Sequence, residues 1–191
     1  MVHILLISGS LRGGSSNSAL LRTAASVAPE GISTTLYDGL DELPHFNPDD
    51  DAEGVEIAAP VAAMRAEVSR ADAILFSTPE YAGALPGSFK NLLEWNVGSS
   101  EIYELPVAWV NVAGAGRGEN AHESLRKVLG YIGADLAEDA CVRIPVSHGS
   151  VGPDGLVADD EVRSQVVAVL ETLAAYVERA REDDEALSSA S

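Results

Sequence analysis

A chain of 191 residues fits one domain, and its 46% hydrophobic share contains no apolar run near the roughly 20 residues that a membrane-spanning helix needs. Thirty acidic against twelve basic residues give a formal net charge of −18, a field that repels nucleic acid and anionic membranes and makes both poor partners. The one cysteine, Cys141, has no internal disulfide partner and lies in an apolar stretch, so it is expected to be a small core residue in a reducing compartment and not a nucleophile. The apolar start, Met1 to Ile7, is too short and too weakly basic for a secretory signal, which makes the cytoplasm the expected location.

In chain order, residues 2–7 read as a buried strand, followed by a Gly/Ser-rich turn and a helix with Leu20, Leu21, Ala24, Ala25 and Ala28 on one face. Residues 32–37, with three Ser/Thr positions, read as an edge strand. Residues 38–54 carry Asp49-Asp50-Asp51 and two prolines without periodicity and read as a solvated loop. Their consecutive carboxylates lack the alternate spacing of a calcium loop, and no metal ligand is assigned. Val61, Met64, Val68 and Ala71 mark a second helix, and residues 73–77 a third strand. The fourth strand spans 106–112, a helix carries Leu125, Val128, Leu129 and Ile132, and the fifth strand spans 140–146. Asp154-Gly155 marks a turn, and Val162, Val166, Val169, Leu170, Leu173 and Val177 line a last helix. Strands that run apolar throughout, alternating with helices, predict a doubly wound parallel α/β sheet covered on both faces. Residues 1–181 are expected as this single domain, and 182–191 as an acidic, polar flexible tail.

The turn Gly9-Ser10-Leu11-Arg12-Gly13-Gly14-Ser15-Ser16-Asn17-Ser18 is the first candidate site. Glycines permit close backbone approach, and a helix N-terminus offers open N–H groups and a favourable dipole to an anion. Ser10, Ser16, Ser18 and Asn17 add neutral donors, and Arg12 a fork suited to a phosphate dianion. An ordinary strand-helix connection capped by Ser16 or Asn17 needs one such residue, whereas five gather here. The G-x-G-x-x-G fingerprint is absent, so Asp38 after the second strand says little about a ribose. The Lys of a nucleotide P-loop is missing as well.

After the third strand comes Thr78-Pro79-Glu80-Tyr81-Ala82-Gly83-Ala84-Leu85-Pro86-Gly87-Ser88-Phe89-Lys90-Asn91-Leu92-Leu93-Glu94-Trp95. In a sheet of order 2-1-3-4-5 the first and third strands are neighbours at the switch point, so this loop would frame one ligand with the first. Tyr81 and Trp95 have a plainer reading as packing residues, Trp95 in the core or at a subunit contact. Lys90 and Glu94 read as a surface pair.

With these residues the chain resembles the NADPH-dependent FMN reductase family, flavodoxin-like enzymes that include chromate, azo-dye and quinone reductases. One motif is G-S-L-R-x-x-S-x-N, met at Gly9, Ser10, Leu11, Arg12, Ser15 or Ser16, and Asn17. The other is T-P-E-Y-x-G-x-x-P-G-x-x-K-N-x-x-E-W, met at residues 78–95. The resemblance extends to about Val177. It implies a flavodoxin-like five-stranded sheet of order 2-1-3-4-5 with FMN as cofactor and NADPH or NADH as co-substrate. The implied acceptor is a small molecule: a quinone, free flavin, azo compound or metal oxyanion. The implied assembly is a homodimer or homotetramer.

The resemblance further implies that Ser10, Arg12, Ser16, Asn17 and Ser18 hold the FMN phosphate. Pro79, Glu80, Tyr81, Ala82 and Gly83 would line the isoalloxazine, mainly through backbone groups, with Ala82 standing where many relatives carry Asn. A third loop, Ala113-Gly114-Ala115-Gly116-Arg117-Gly118, would bring Ala113 to the ring. Arg117, by its charge and its place in that loop and not by the resemblance, is expected to steer the NADPH phosphate. No side chain is assigned as catalytic, because the flavin performs the hydride chemistry. His122 is expected at an exposed helix position, and His148 has no obvious partner. The alternative is a flavodoxin-like electron carrier reduced by a protein partner, which an acidic surface would suit. Such carriers typically use a T-x-T-G-x-T phosphate loop that is absent here.

Overall fold

The structure is a computed structural model that describes residues 1–189; the side chains at 148 and 187–189, His148 among them, lie outside the described set. The strands are β1 (Val2–Ser8), β2 (Ile32–Tyr37), β3 (Ala73–Ser77), β4 (Pro106–Asn111), β5 (Asp135–Leu136) and β6 (Val142–Arg143). The helices are α1 (Ser16–Val27), α2 (Ala59–Arg70), α3 (Gly87–Glu94), α4 (Glu119–Tyr131) and α5 (Asp160–Ser189). The named strands pair in parallel in the order β2-β1-β3-β4-β5, as the sequence predicts, with β6 also on β4.

Alternation within β1 explains its unbroken apolar run. Ile4 and Leu6 face a cluster with Leu20 and Leu21 of α1 and Leu170 and Leu173 of α5. Leu5 and Ile7 face the other cluster, with Met64 of α2, Phe89 and Leu92 of α3, and Leu125 and Leu129 of α4. Each such fully buried side chain contributes about 1.5–3 kcal/mol. Polar Ile32–Tyr37 takes the edge, where one side of the ladder needs no partner.

The fifth strand differs from expectation. The position beside β4 is filled in two pieces, Val107 pairing with Leu136 and Val110 with Val142. A 3-10 turn, Glu138–Ala140, interrupts them, so residue 140 is not yet in the strand; residues 144–146 lie past its named end, although the Ile144 and Val146 N–H groups still donate to the Asn111 and Val112 carbonyls at 3.0 and 2.9 Å. Asp51 departs from the solvated reading of its loop: it receives two hydrogen bonds from Arg65, at 2.9 and 2.8 Å, and is largely buried. Helix α5 continues to Ser189, past Glu182 where the tail was expected to begin, through Glu185 and Ala186, residues that favour helix. Among the described residues no helix is long and apolar enough to cross a membrane.

Candidate functional site

Parallel strands bring the loops after β1, β3 and β4 to one edge of the sheet. The first two are in contact. The Gly9 N–H donates to the Ser77 carbonyl at 2.9 Å, extending the β1–β3 ladder. A Cβ at Gly9 would stand 2.3 Å from Thr78 Oγ1 and 2.9 Å from Phe89 Cδ1, so only glycine allows this approach. Beyond it the chain folds tightly: the Arg12 N–H donates to Ser10 Oγ at 3.3 Å, the Ser15 N–H donates to the Arg12 carbonyl at 3.2 Å, and Gly14 takes a φ of +69°.

Ser15 stands at the N-cap of α1 in extended backbone and makes no side-chain cap bond, which leaves the first-turn N–H groups, those of Ser16, Asn17 and Ser18, open to a ligand. Asn17 is buried. Its Oδ1 accepts from Ser77 Oγ at 2.9 Å and its Nδ2 donates to Ser15 Oγ at 3.5 Å, so its amide locks the helix start to β3 and its backbone N–H is what remains for an anion. Ser18 Oγ is bonded to Ser8 Oγ at 2.9 Å. Ser15 is buried and accepts from Asn17, whereas Ser16 is only half-buried.

The charges along this segment run against the chain as a whole, although Asp38 and Asp41, after β2, line the cavity beside Ser10 and Ser18. The first carboxylate of the sequence is Glu30, so the entire first βα unit is free of acids in a protein with thirty of them. Arg12 is exposed, with Nη2 3.4 Å from the Gly14 carbonyl, and it makes no ion pair among the described residues.

The second loop closes as a tight hairpin, with Tyr81 and Ala84 exchanging backbone hydrogen bonds of 3.1 Å. Both central residues are left-handed, Ala82 at φ +52° and Gly83 at φ +73°, as a type I′ turn requires. Alanine there is strained by about 1–2 kcal/mol, which gives the Asn of many relatives a physical reason. Tyr81 does not pack as the plainer reading had it but stands 52% exposed.

Glu80 turns its carboxylate to the start of α4, where Oε1 accepts from Asn120 Nδ2 at 3.1 Å and Oε2 from the Ala121 N–H at 3.2 Å. The Asn120 bond, then the backbone donors of that turn, hold the carboxyl below its ordinary range. Trp95 is a core residue: Nε1 donates to the Pro44 carbonyl at 2.8 Å and the ring packs edge-on against Phe46. Lys90 and Glu94 form the expected surface pair at 2.7 Å.

The third loop is held from three directions. Asn111 Oδ1 accepts from the Ala113 N–H at 3.0 Å while its Nδ2 donates to the Arg117 carbonyl at 3.1 Å. His122 Nδ1, the protonated nitrogen given its partner, donates to the Gly118 carbonyl at 2.5 Å. His122 was expected at the surface and is instead buried, because it shares the sheet-facing side of α4 with Ala121, Leu125 and Leu129, beside Trp109. Burial, foremost, pushes its pKa down from 6.5.

Arg143 of β6 completes the grip, donating to the carbonyls of Ala113, Gly114 and Arg117 at 2.8 Å each and to Glu119 Oε1 at 2.7 Å. Its only sequence signal is a charge inside an apolar strand. Cys141, two residues earlier, is half-buried with its thiol pushed up to about 11 by burial, unsuited to nucleophilic work. The Arg117 side chain is exposed and makes no ion pair among the described residues.

Sheet order 2-1-3-4-5 with three ligand-framing loops at the ends of β1, β3 and β4 defines a flavodoxin-like α/β protein. The family model for NADPH-dependent FMN reductase matches residues 2–148, and the chain belongs to that family. It is 34% identical over 186 residues to an NAD(P)H-dependent FMN reductase of Pseudomonas aeruginosa, covering 94% of this chain and 97% of that one. A 2-hydroxy-1,4-benzoquinone reductase of a Burkholderia species is 29% identical over 180 residues, covering 92% and 96%. Among solved structures, the flavoenzyme NAD(P)H:(acceptor) oxidoreductase of Paracoccus denitrificans superposes with a TM-score of 0.80 at 23% identity, over 94% of this chain and 98% of that one, a likeness of fold.

Proposed function

We propose that this chain is an NAD(P)H-dependent, FMN-containing oxidoreductase that passes electrons from NADPH to a quinone, free flavin, azo compound or metal oxyanion. The observation that carries it is the acid-free first βα unit, with an uncapped helix N-terminus and unpaired Arg12, abutting the second loop at the switch point. These donors fit a phosphate dianion. The N–H groups of Ser16, Asn17 and Ser18, Ser10 Oγ and Arg12 would hold the FMN phosphate. Pro79 to Gly83 and Ala113 would border the isoalloxazine through their backbones, with Glu80 setting the loop's position from behind.

When bound, FMN supplies hydride acceptance and onward electron transfer, so the chain needs no acid-base pair of its own. Arg117, exposed and unpaired, would draw in the charged end of NADPH. Small flat acceptors are supported by the quinone reductases among the relatives. Action in the cytoplasm as a homodimer or homotetramer belongs to the same proposal, supported by the free thiol of Cys141 and by exposed Tyr81, Tyr103, Tyr131 and Val97.

The experiment is to add FMN to the purified protein, remove the excess, record the visible spectrum and then add NADPH without oxygen. Retained bands that bleach are expected. Retained bands that persist would favour the electron carrier, and loss of flavin would overturn the cofactor assignment. Arg12→Ala should weaken FMN binding about tenfold or more. Arg117→Ala should raise KM for NADPH with flavin retention intact.

A further inference from the structure

Three carbonyls of the third loop converge on one guanidinium, those of Ala113, Gly114 and Arg117 on Arg143. In a planar trans peptide the C=O and the N–H point in opposite directions. The three peptide units whose oxygens face Arg143 therefore turn the N–H groups of Gly114, Ala115 and Gly118 away from it. None of those three N–H groups donates elsewhere among the described residues. Glycines at 114, 116 and 118 would let this backbone flip either way, and Gly116 and Gly118 already use positive φ values of 72° and 76°. The direction is set from outside the loop, by a strand 26 to 30 residues later in the chain.

We propose, on the flavin reading, that Arg143 is a positioning residue: by drawing these carbonyls to the sheet edge it aims the N–H groups of Gly114 and Ala115 at the flavin ring. Donors aimed at a ring that gains negative charge on reduction favour that gain. The guanidinium is suited to the task because its two ends divide the work: Nη1 meets all three carbonyls while Nη2 is held by the Glu119 carboxylate. A lysine ammonium, a single nitrogen on a flexible stem, cannot face the carbonyls and be held from behind in the same way.

Arg143→Gln and Arg143→Lys test this with two readouts. In the flavin-free protein, trypsin should cut after Arg117 about tenfold faster in Arg143→Gln, with cleavage after Arg12 unchanged as the internal reference. In the flavin-loaded protein both variants should show a more negative flavin midpoint potential and a lower kcat with NADPH, while FMN affinity, governed by the first loop, is kept. An unchanged potential overturns the role at the ring whatever trypsin does, and an unchanged cleavage rate overturns the claim that Arg143 holds the loop. If Arg143→Gln does not fold, Arg143→Lys decides both points. Failure of the wild type to retain FMN would sink the flavin reading separately, and the trypsin comparison would still judge the grip of Arg143.

Discussion

The first and third loops meet at the same sheet edge yet are built in opposite ways. The first is shaped largely by its own residues: Ser10, Arg12, Gly14 and Ser15 bond within a few positions of one another, and two ties to Ser77, through the Gly9 N–H and through Asn17 Oδ1, anchor them. The third has scarcely any internal support beyond the Arg117 N–H on the Gly114 carbonyl. Its flanks, Asn111 and His122, hold it from two to six positions away, while Arg143 grips it from 26 to 30 residues later and Glu80 holds the helix start behind it from 40 and 41 residues earlier. A loop that makes its own bonds can be recognised as a motif. A loop positioned by distant side chains takes its shape from the fold, and small changes far along the chain reach it.

The largest effect should come from forcing the first loop off its neighbour. Gly9→Ala puts a methyl against the buried Thr78 side chain and Phe89 and should cost about 3 kcal/mol in urea unfolding. An unchanged midpoint would mean that the first and second loops are not in contact. Asn17→Ala removes the side-chain anchor of the first loop, leaving the Gly9–Ser77 backbone bond, and should cost about 1–3 kcal/mol, since a buried hydrogen-bond network loses a partner. If the loss were no larger than for an exposed residue, the first loop would need no side-chain anchor.

Ala82→Asn should act the other way. A residue tolerant of the left-handed conformation should stabilise the second loop's hairpin by about 0.5–1 kcal/mol, read as a rise in Tm. A fall would show that the turn is not the type I′ hairpin described.

The smallest effect is a pH dependence confined to the third loop. His122 has a folded-state pKa below its ordinary value of 6.5. The unfolded chain therefore binds the proton more readily, and stability is lost as pH falls from about 6.5 toward the folded value. His122→Asn, which keeps a donor near the Gly118 carbonyl, should flatten that part of the Tm profile between pH 7 and 5. Equal slopes in the two proteins would remove His122 from the account.

Much of the molecule was legible beforehand, and for local reasons. Unbroken apolar runs flag strands with both faces covered, as at Ile4 to Ile7. Clustered glycines and hydroxyls between a strand and a helix flag an anion loop. Where the sequence misled, the missing information was a partner. The spacing of His122 with Leu125 and Leu129 puts it on the inner face of α4, but a histidine alone reads as exposed until the Gly118 carbonyl and Trp109 are beside it. Residues 140–146 read as one strand because propensity does not reveal the 3-10 turn that splits its place into Asp135–Leu136 and Val142–Arg143.

What the sequence determined by itself was the parallel α/β order, the acid-free first loop and the two motifs, since each depends on residue types at short separation. Only the tertiary structure decided that Glu80 secures α4, that Asn17 is bound to Ser77, and that Arg143 orients the third loop. Those pairings depend on sheet order and register, which bring together groups tens of residues apart.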